Sequence, residues 1–66
     1  MPENQRAATN TILIKRYAGR RLYNTLTLTY VSLDDLADMV LRRQRFIVCE
    51  AETERDVTRE LLNRLH

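Results

Sequence analysis

Hydrophobic and polar positions change rhythm four times along this chain, and each change marks an element. Residues 1–10, MPENQRAATN, have no apolar period and carry the only Pro, which predicts a disordered tail. From Thr11 to Tyr17 the side chains alternate, Ile12, Ile14 and Arg16 against Leu13, Lys15 and Tyr17, as in a β-strand. A cation on each face near its end predicts a strand away from the sheet centre. Ala18-Gly19 and Asn24-Thr25 are turn signals, with Arg20–Leu22 leaving the first. Leu26, Leu28 and Tyr30 then alternate with Thr25, Thr27 and Thr29, which predicts a second, half-buried strand over 27–31.

At Ser32 the period becomes helical. Ser32 and Asp35 have capping-box spacing, Val31 and Leu36 staple spacing, and Leu33, Leu36, Ala37 and Val40 form one stripe, predicting a helix over 33–43. Asp34 and Asp35 suit its positive end, and Arg42 and Arg43 its negative end. A strand over 45–51 follows, with Phe46, Val48 and Glu50 on one face. Asp56-Val57 is expected to pair back briefly. Thr58 is expected to cap a last helix whose apolar side is Leu61, Leu62 and Leu65, with Val57 and Leu62 as its staple. The prediction is an α+β domain over 11–66: a small antiparallel sheet with two helices, in the order β-β-α-β-β-α.

Sixty-six residues hold one core at most. The single Cys49 excludes an internal disulfide, and no His/Cys cluster offers a metal site. A core this small seldom supplies more than about 3–5 kcal/mol, so self-association is expected. No apolar run approaches the length of a membrane span, and the tail lacks the apolar core of a signal peptide, so the reading is cytoplasmic with no membrane partner.

Charge sharpens the picture. The chain carries only +2 overall, yet Ile12 to Tyr30 holds Lys15, Arg16, Arg20 and Arg21 with no acidic residue. Tyr17, Tyr23 and Tyr30 are interleaved with these cations, a combination that can grip a polyanion. Asn24 can hydrogen-bond an adenine edge, although in a turn it more often serves the local backbone. A solvated charged face with amphipathic tyrosines is the plainer explanation of the same residues. The missing acidic partners, and two arginines directly after a Gly turn, favour the binding interpretation.

Catalysis finds little support. Asp34, Asp35 and Asp38 are explained by capping and a solvated helix face, Cys49 sits in an alternating strand beside Glu50, and no phosphate loop or Ser/His/Asp set is present. Neither enzymatic activity nor a cofactor is expected.

The runs IKRYAGRRLYNT, YVSLDDLADMV, RFIVCEAET and DVTRELLNRL resemble the N-terminal DNA-binding domain of the polyhydroxyalkanoate (PHB) accumulation regulators, repressors of granule-associated genes. The family pattern is KRYxNRRLYDT, YVTLxDLxxMV and FxVxDAKTGEDITR, and the likeness spans about Ile14 to Leu65. It implies a bacterial DNA-binding repressor acting as a homodimer or higher oligomer on double-stranded DNA, with Lys15, Arg16, Tyr17, Arg20, Arg21 and Tyr23 in the contact segment and Asn24 beside it. Gly19 stands where the family has Asn, and Asn24 where it has Asp, which removes a negative charge beside the basic block. Glu50 replaces an Asp, and Glu54-Arg55 replaces Gly-Glu, which is expected to reshape that turn. Leu26 and Leu28 replace polar residues and, with Leu61, Leu62 and Leu65, form the expected interaction or oligomer set. The family's C-terminal portion, implicated in granule binding, has no counterpart in this sequence, so any granule link runs through a region absent here. The alternative from a different class is a protein-interaction module in which the leucines bind a partner and the arginines form its rim.

Overall fold

Strand β1 spans Thr11–Tyr17, β2 Arg21–Asn24 and β3 Thr29–Val31; helix α1 spans Leu33–Leu41, strand β4 Arg45–Glu50 and helix α2 Thr58–Asn63. The structure, a computed structural model, describes residues 11–65; the expected tail over 1–10 and His66 lie outside the described residues. Four strands form one sheet in the order β3-β2-β1-β4. β1 pairs antiparallel with β2, and β2 with β3, whereas β1 and β4 run parallel, Ile14 opposite Val48 and Arg16 opposite Glu50.

Three expectations are corrected here. The sheet is mixed, because α1 carries the chain over the sheet and returns it in the same direction as β1. Residues 21–24, where sequence placed the exit of one turn over Arg20–Leu22 and the start of another at Asn24-Thr25, are a strand of their own, and Asp56 makes only an isolated bridge to Cys49, so the order is β-β-β-α-β-α. Finally, β1 is central, because the cation on its apolar face is neutralised within the fold.

Alternation on three strands delivers one apolar face. Ile14, Leu22 and Val48 are buried there together with Leu36 of α1, and Val57 and Leu61 at the start and middle of the last helical segment. Burying each such aliphatic side chain contributes about 1.5–3 kcal/mol. Ile12, Val31, Leu33, Met39, Phe46 and Leu65 pack around them. Both helices therefore lie on the same side of the sheet. On the other side, Leu13, Tyr17, Tyr30 and Ile47 remain exposed, and no described element covers them.

The helix ends account for further differences. The Ser32–Asp35 capping box forms in both directions, with Ser32 Oγ accepting from the Asp35 N–H at 3.1 Å and the Ser32 N–H donating to Asp35 Oδ2 at 2.9 Å. α1 ends at Leu41, not at Arg43: Arg43 adopts φ 60°, its N–H donates to the Val40 carbonyl and that of Gln44 to the Met39 carbonyl. This is a Schellman stop with Arg where Gly is the usual choice. Thr58 does not cap α2. Its hydroxyl instead accepts from the Val48 N–H at 2.8 Å, pinning α2 to β4, while Asp56 Oδ1 accepts from the Thr58 N–H at 2.8 Å. Of the expected Val57–Leu62 staple pair, Val57 is buried and Leu62 is 39% exposed.

Candidate nucleic-acid interface

The basic-aromatic stretch folds into the β1–β2 hairpin. Ala18 and Gly19 have φ of 53° and 70°, and the Arg20 N–H donates to the Tyr17 carbonyl at 3.0 Å, closing the turn. Left-handed backbone at two successive positions matches the right-handed twist of a hairpin and favours Gly or Asn. Gly19 for Asn is therefore a substitution between the two residue types that tolerate this conformation best. A Cβ at 19 would have no other atom within 4 Å, so the demand on the first carbon of a side chain there comes from φ. Tyr17 pairs with Arg21, which leaves Arg20 unpaired at the tip.

Beyond the turn, the strand period separates neighbours. Lys15, Tyr17, Arg21, Tyr23 and Tyr30 fall on the uncovered face, since Lys15 pairs with Tyr23, Tyr17 with Arg21 and Tyr23 with Tyr30. The Tyr17 and Tyr23 rings meet edge-on at 6.5 Å between centroids, Tyr23 and Tyr30 at 5.2 Å, and the Arg21 guanidinium lies 5.4 Å from the Tyr30 centroid. Edge-to-face pairs and a cation over a ring are mutually favourable arrangements, so this ladder is ordered without a ligand. Lys15, Arg20 and Arg21 form no ion pair among the described residues. Tyr30 belongs to the basic-aromatic stretch read from sequence but lies outside the expected contact set. Its signal was the spacing of three tyrosines on alternating positions of the same hairpin ladder.

Two members of the expected contact set belong elsewhere. Arg16 is 7% exposed on the apolar face, where its Nε donates to Glu50 Oε2 at 2.8 Å, its Nη2 reaches the same oxygen, and its Nη1 donates to Glu60 at 3.1 Å. The hydrogen bonds that Arg16 donates to Glu50 hold the guanidinium above its ordinary pKa, with burial opposing and Glu60 adding to the effect. The basic stretch thus lacks acidic neighbours in sequence but not in space. The signal was present: each of β1 and β4 carries one charge on its apolar face, and the two are of opposite sign.

Asn24 is 5% exposed, and its Oδ1 accepts from the Leu26 N–H at 2.8 Å and the Thr27 N–H at 3.1 Å. Its side chain is thereby committed to building the β2–β3 turn. An Asp would accept the same two bonds, so the change from the family residue is first of all a turn substitution.

The leucines divide as well. Leu26 and Leu28 are 66% and 69% exposed in the 25–28 turn, not in a half-buried strand, because the Leu28 N–H donates to the Asn24 carbonyl and Leu28 takes φ 63°. Leu61 is buried in the core and is not a contact residue on the surface. Leu62 and Leu65 line an apolar groove of about 460 Å³ with Ala37, Val40 and Leu41, between the two helices.

Residues 13–65 match the family model described as the PHB/PHA accumulation regulator DNA-binding domain. An uncharacterized protein of Allochromatium vinosum is 40% identical over 50 residues, covering 76% of this chain and 33% of that protein. An uncharacterized protein in the phbA 5′ region of Thiocystis violacea is 38% identical over 50 residues, covering 76% of this chain and 36% of its own length. The chain thus spans about a third of the length of these curated relatives. No solved structure matches it significantly. No helix among the described residues is long and apolar enough to cross a membrane.

Proposed function

We propose, given that this chain belongs to the family of PHB/PHA accumulation regulator DNA-binding domains, that it binds double-stranded DNA through the uncovered face of its sheet and represses polyhydroxyalkanoate genes in the bacterial cytoplasm. One observation carries the siting: both helices pack on one side, leaving Lys15, Arg21 and three interlocked tyrosines on the other. Sheets and β-ribbons are established readers of duplex grooves. Lys15, Arg20 and Arg21 would hold phosphates or, for an arginine, a guanine edge, with Tyr17 and Tyr23 setting their positions. The relative encoded in the phbA 5′ region supports a link to polymer-storage genes.

A homodimer is part of this reading, with the groove at Leu62 and Leu65, beside the 81% exposed Leu41, as its contact. Any granule link belongs to the portion of the relatives that this chain does not span. The competing assignment, a protein-interaction module, draws on Leu26 and Leu28 at the tip of the β2–β3 turn.

Salt response decides between them. With Arg16 neutralised, three cations remain, so log K against log salt should fall with a slope of about −3 per protomer, from about −0.9 per phosphate contact. Anisotropy titrations on random and promoter-derived duplex at two salt concentrations measure it. No affinity at low salt on either duplex would overturn the DNA reading and leave the interaction module.

A further inference from the structure

Arg20 and Arg21 are neighbours in sequence with different surroundings. Arg21 lies over Tyr30 on the open face, whereas Arg20 lines a pocket of about 200 Å³ on the helix side, between the hairpin turn, the start of α1 and the end of α2. Arg16 and Arg64 line the same pocket, Leu22 and Leu61 form part of its wall, Ser32 at the N-cap of α1 reaches its rim, and no carboxylate lines it.

We propose that this pocket binds a phosphate group. Arg20 and Arg64 have no ion pair among the described residues, so both guanidiniums can give charge-assisted bonds to an anion. Arg16 supports them from behind. Three hydrogen bonds commit it to Glu50 and Glu60, and a guanidinium has five N–H donors. Those two carboxylates are turned to Arg16 and do not line the cavity, and so leave its mouth to the unpaired arginines. The nine-residue α1 opens at this rim, and its first-turn N–H groups not engaged by the capping box add positive potential. Apolar walls strengthen each of these attractions by excluding water.

The phosphate can come from the backbone of a bound duplex or from a free phosphorylated small molecule. Only the first source rests on the DNA reading.

The test begins without DNA. Inorganic phosphate is titrated into the protein and followed by amide chemical shifts at Gly19, Arg20, Leu33, Asp34 and Arg64. Saturable shifts at these amides are expected, weakened roughly tenfold by Arg20→Ala or Arg64→Ala, the loss of one charge-assisted bond. Arg45→Ala, which removes the same charge at the far end of the sheet, should leave them unchanged. No saturable shift, or equal weakening by Arg45→Ala, overturns the proposal whether or not DNA binds. The source follows from repeating the titration with duplex present. If the duplex fills the pocket, phosphate no longer binds and Arg64→Ala makes the salt slope shallower by about 0.9. If a free anion is the ligand, phosphate and duplex bind together and Arg64→Ala leaves the slope intact.

Discussion

Lys15 and Arg16 share one strand and one sign of charge, yet the sheet gives them opposite tasks. Arg16 faces the helices, is 7% exposed and is held by Glu50 of β4 and Glu60 of α2; Lys15 faces outward beside Tyr17 and Tyr23. The covered face uses its cation to join three elements, and the open face keeps its cations uncommitted. Basic residues in a motif are therefore divided by strand parity before any ligand is considered. One cation of a conspicuous charge run of four can be internal mortar.

The contrast can be broken most forcefully at Arg16. Arg16→Ala strands Glu50 and Glu60 near the core and should cost about 3 kcal/mol, toward the low end for a broken buried pair because Glu60 is half exposed. Urea denaturation would register this as a large fall in midpoint, while the salt slope of DNA binding per folded molecule stays the same, because the Arg16 charge is already paired. Arg16→Met with Glu50→Leu should recover most of the loss, since apolar replacement of a buried pair is often neutral. A shallower salt slope in that folded double variant would move Arg16 back among the phosphate contacts.

Arg21→Ala probes the other side. Its stability should change by less than about 0.5 kcal/mol, as expected of an exposed position, while the salt slope becomes shallower by about 0.9. A slope that does not move would separate Arg21 from phosphate.

Smaller effects test the turns that frame both faces. Arg43→Gly relieves a left-handed non-glycine residue at the stop of α1 and should stabilise the protein by about 0.5–1 kcal/mol, seen as a raised urea midpoint with unchanged DNA binding. The smallest is a pH effect at Asp56. Bonds from Thr58, chiefly from its backbone N–H, lower the Asp56 pKa below its ordinary 3.8. Its contribution is then complete above that value and lost as pH falls through the lower folded one. Asp56→Asn should flatten that part of the acid side of a stability–pH curve and leave neutral pH almost unaltered.

Local rules made much of this legible. The Ser32–Asp35 box, the start of α1, the faces of β1 and β4, and the turn at Gly19 all depend on residues within a few positions of one another. Pairing partners do not. Alternation says that Ile14 and Arg16 share a face, but not that Val48 and Glu50 arrive beside them in parallel. The four-residue β2 was too short for its period to stand out between two turn signals. The site was harder still, because the lack of acid residues within 12–30 concealed a carboxylate 34 positions away from Arg16.

That separation also has a temporal meaning. β1, β2 and β3 are neighbours in sequence and can zip together quickly, as local hairpins do. The second edge of β1 has no partner until α1 has crossed the sheet and β4 docks, the step with the greatest loop-closure cost. A chain emerging from the ribosome would pass through a stage with its central strand open on one side, prone to pair with another copy. The rate at which β4 closes that edge sets how long the nascent domain is at risk.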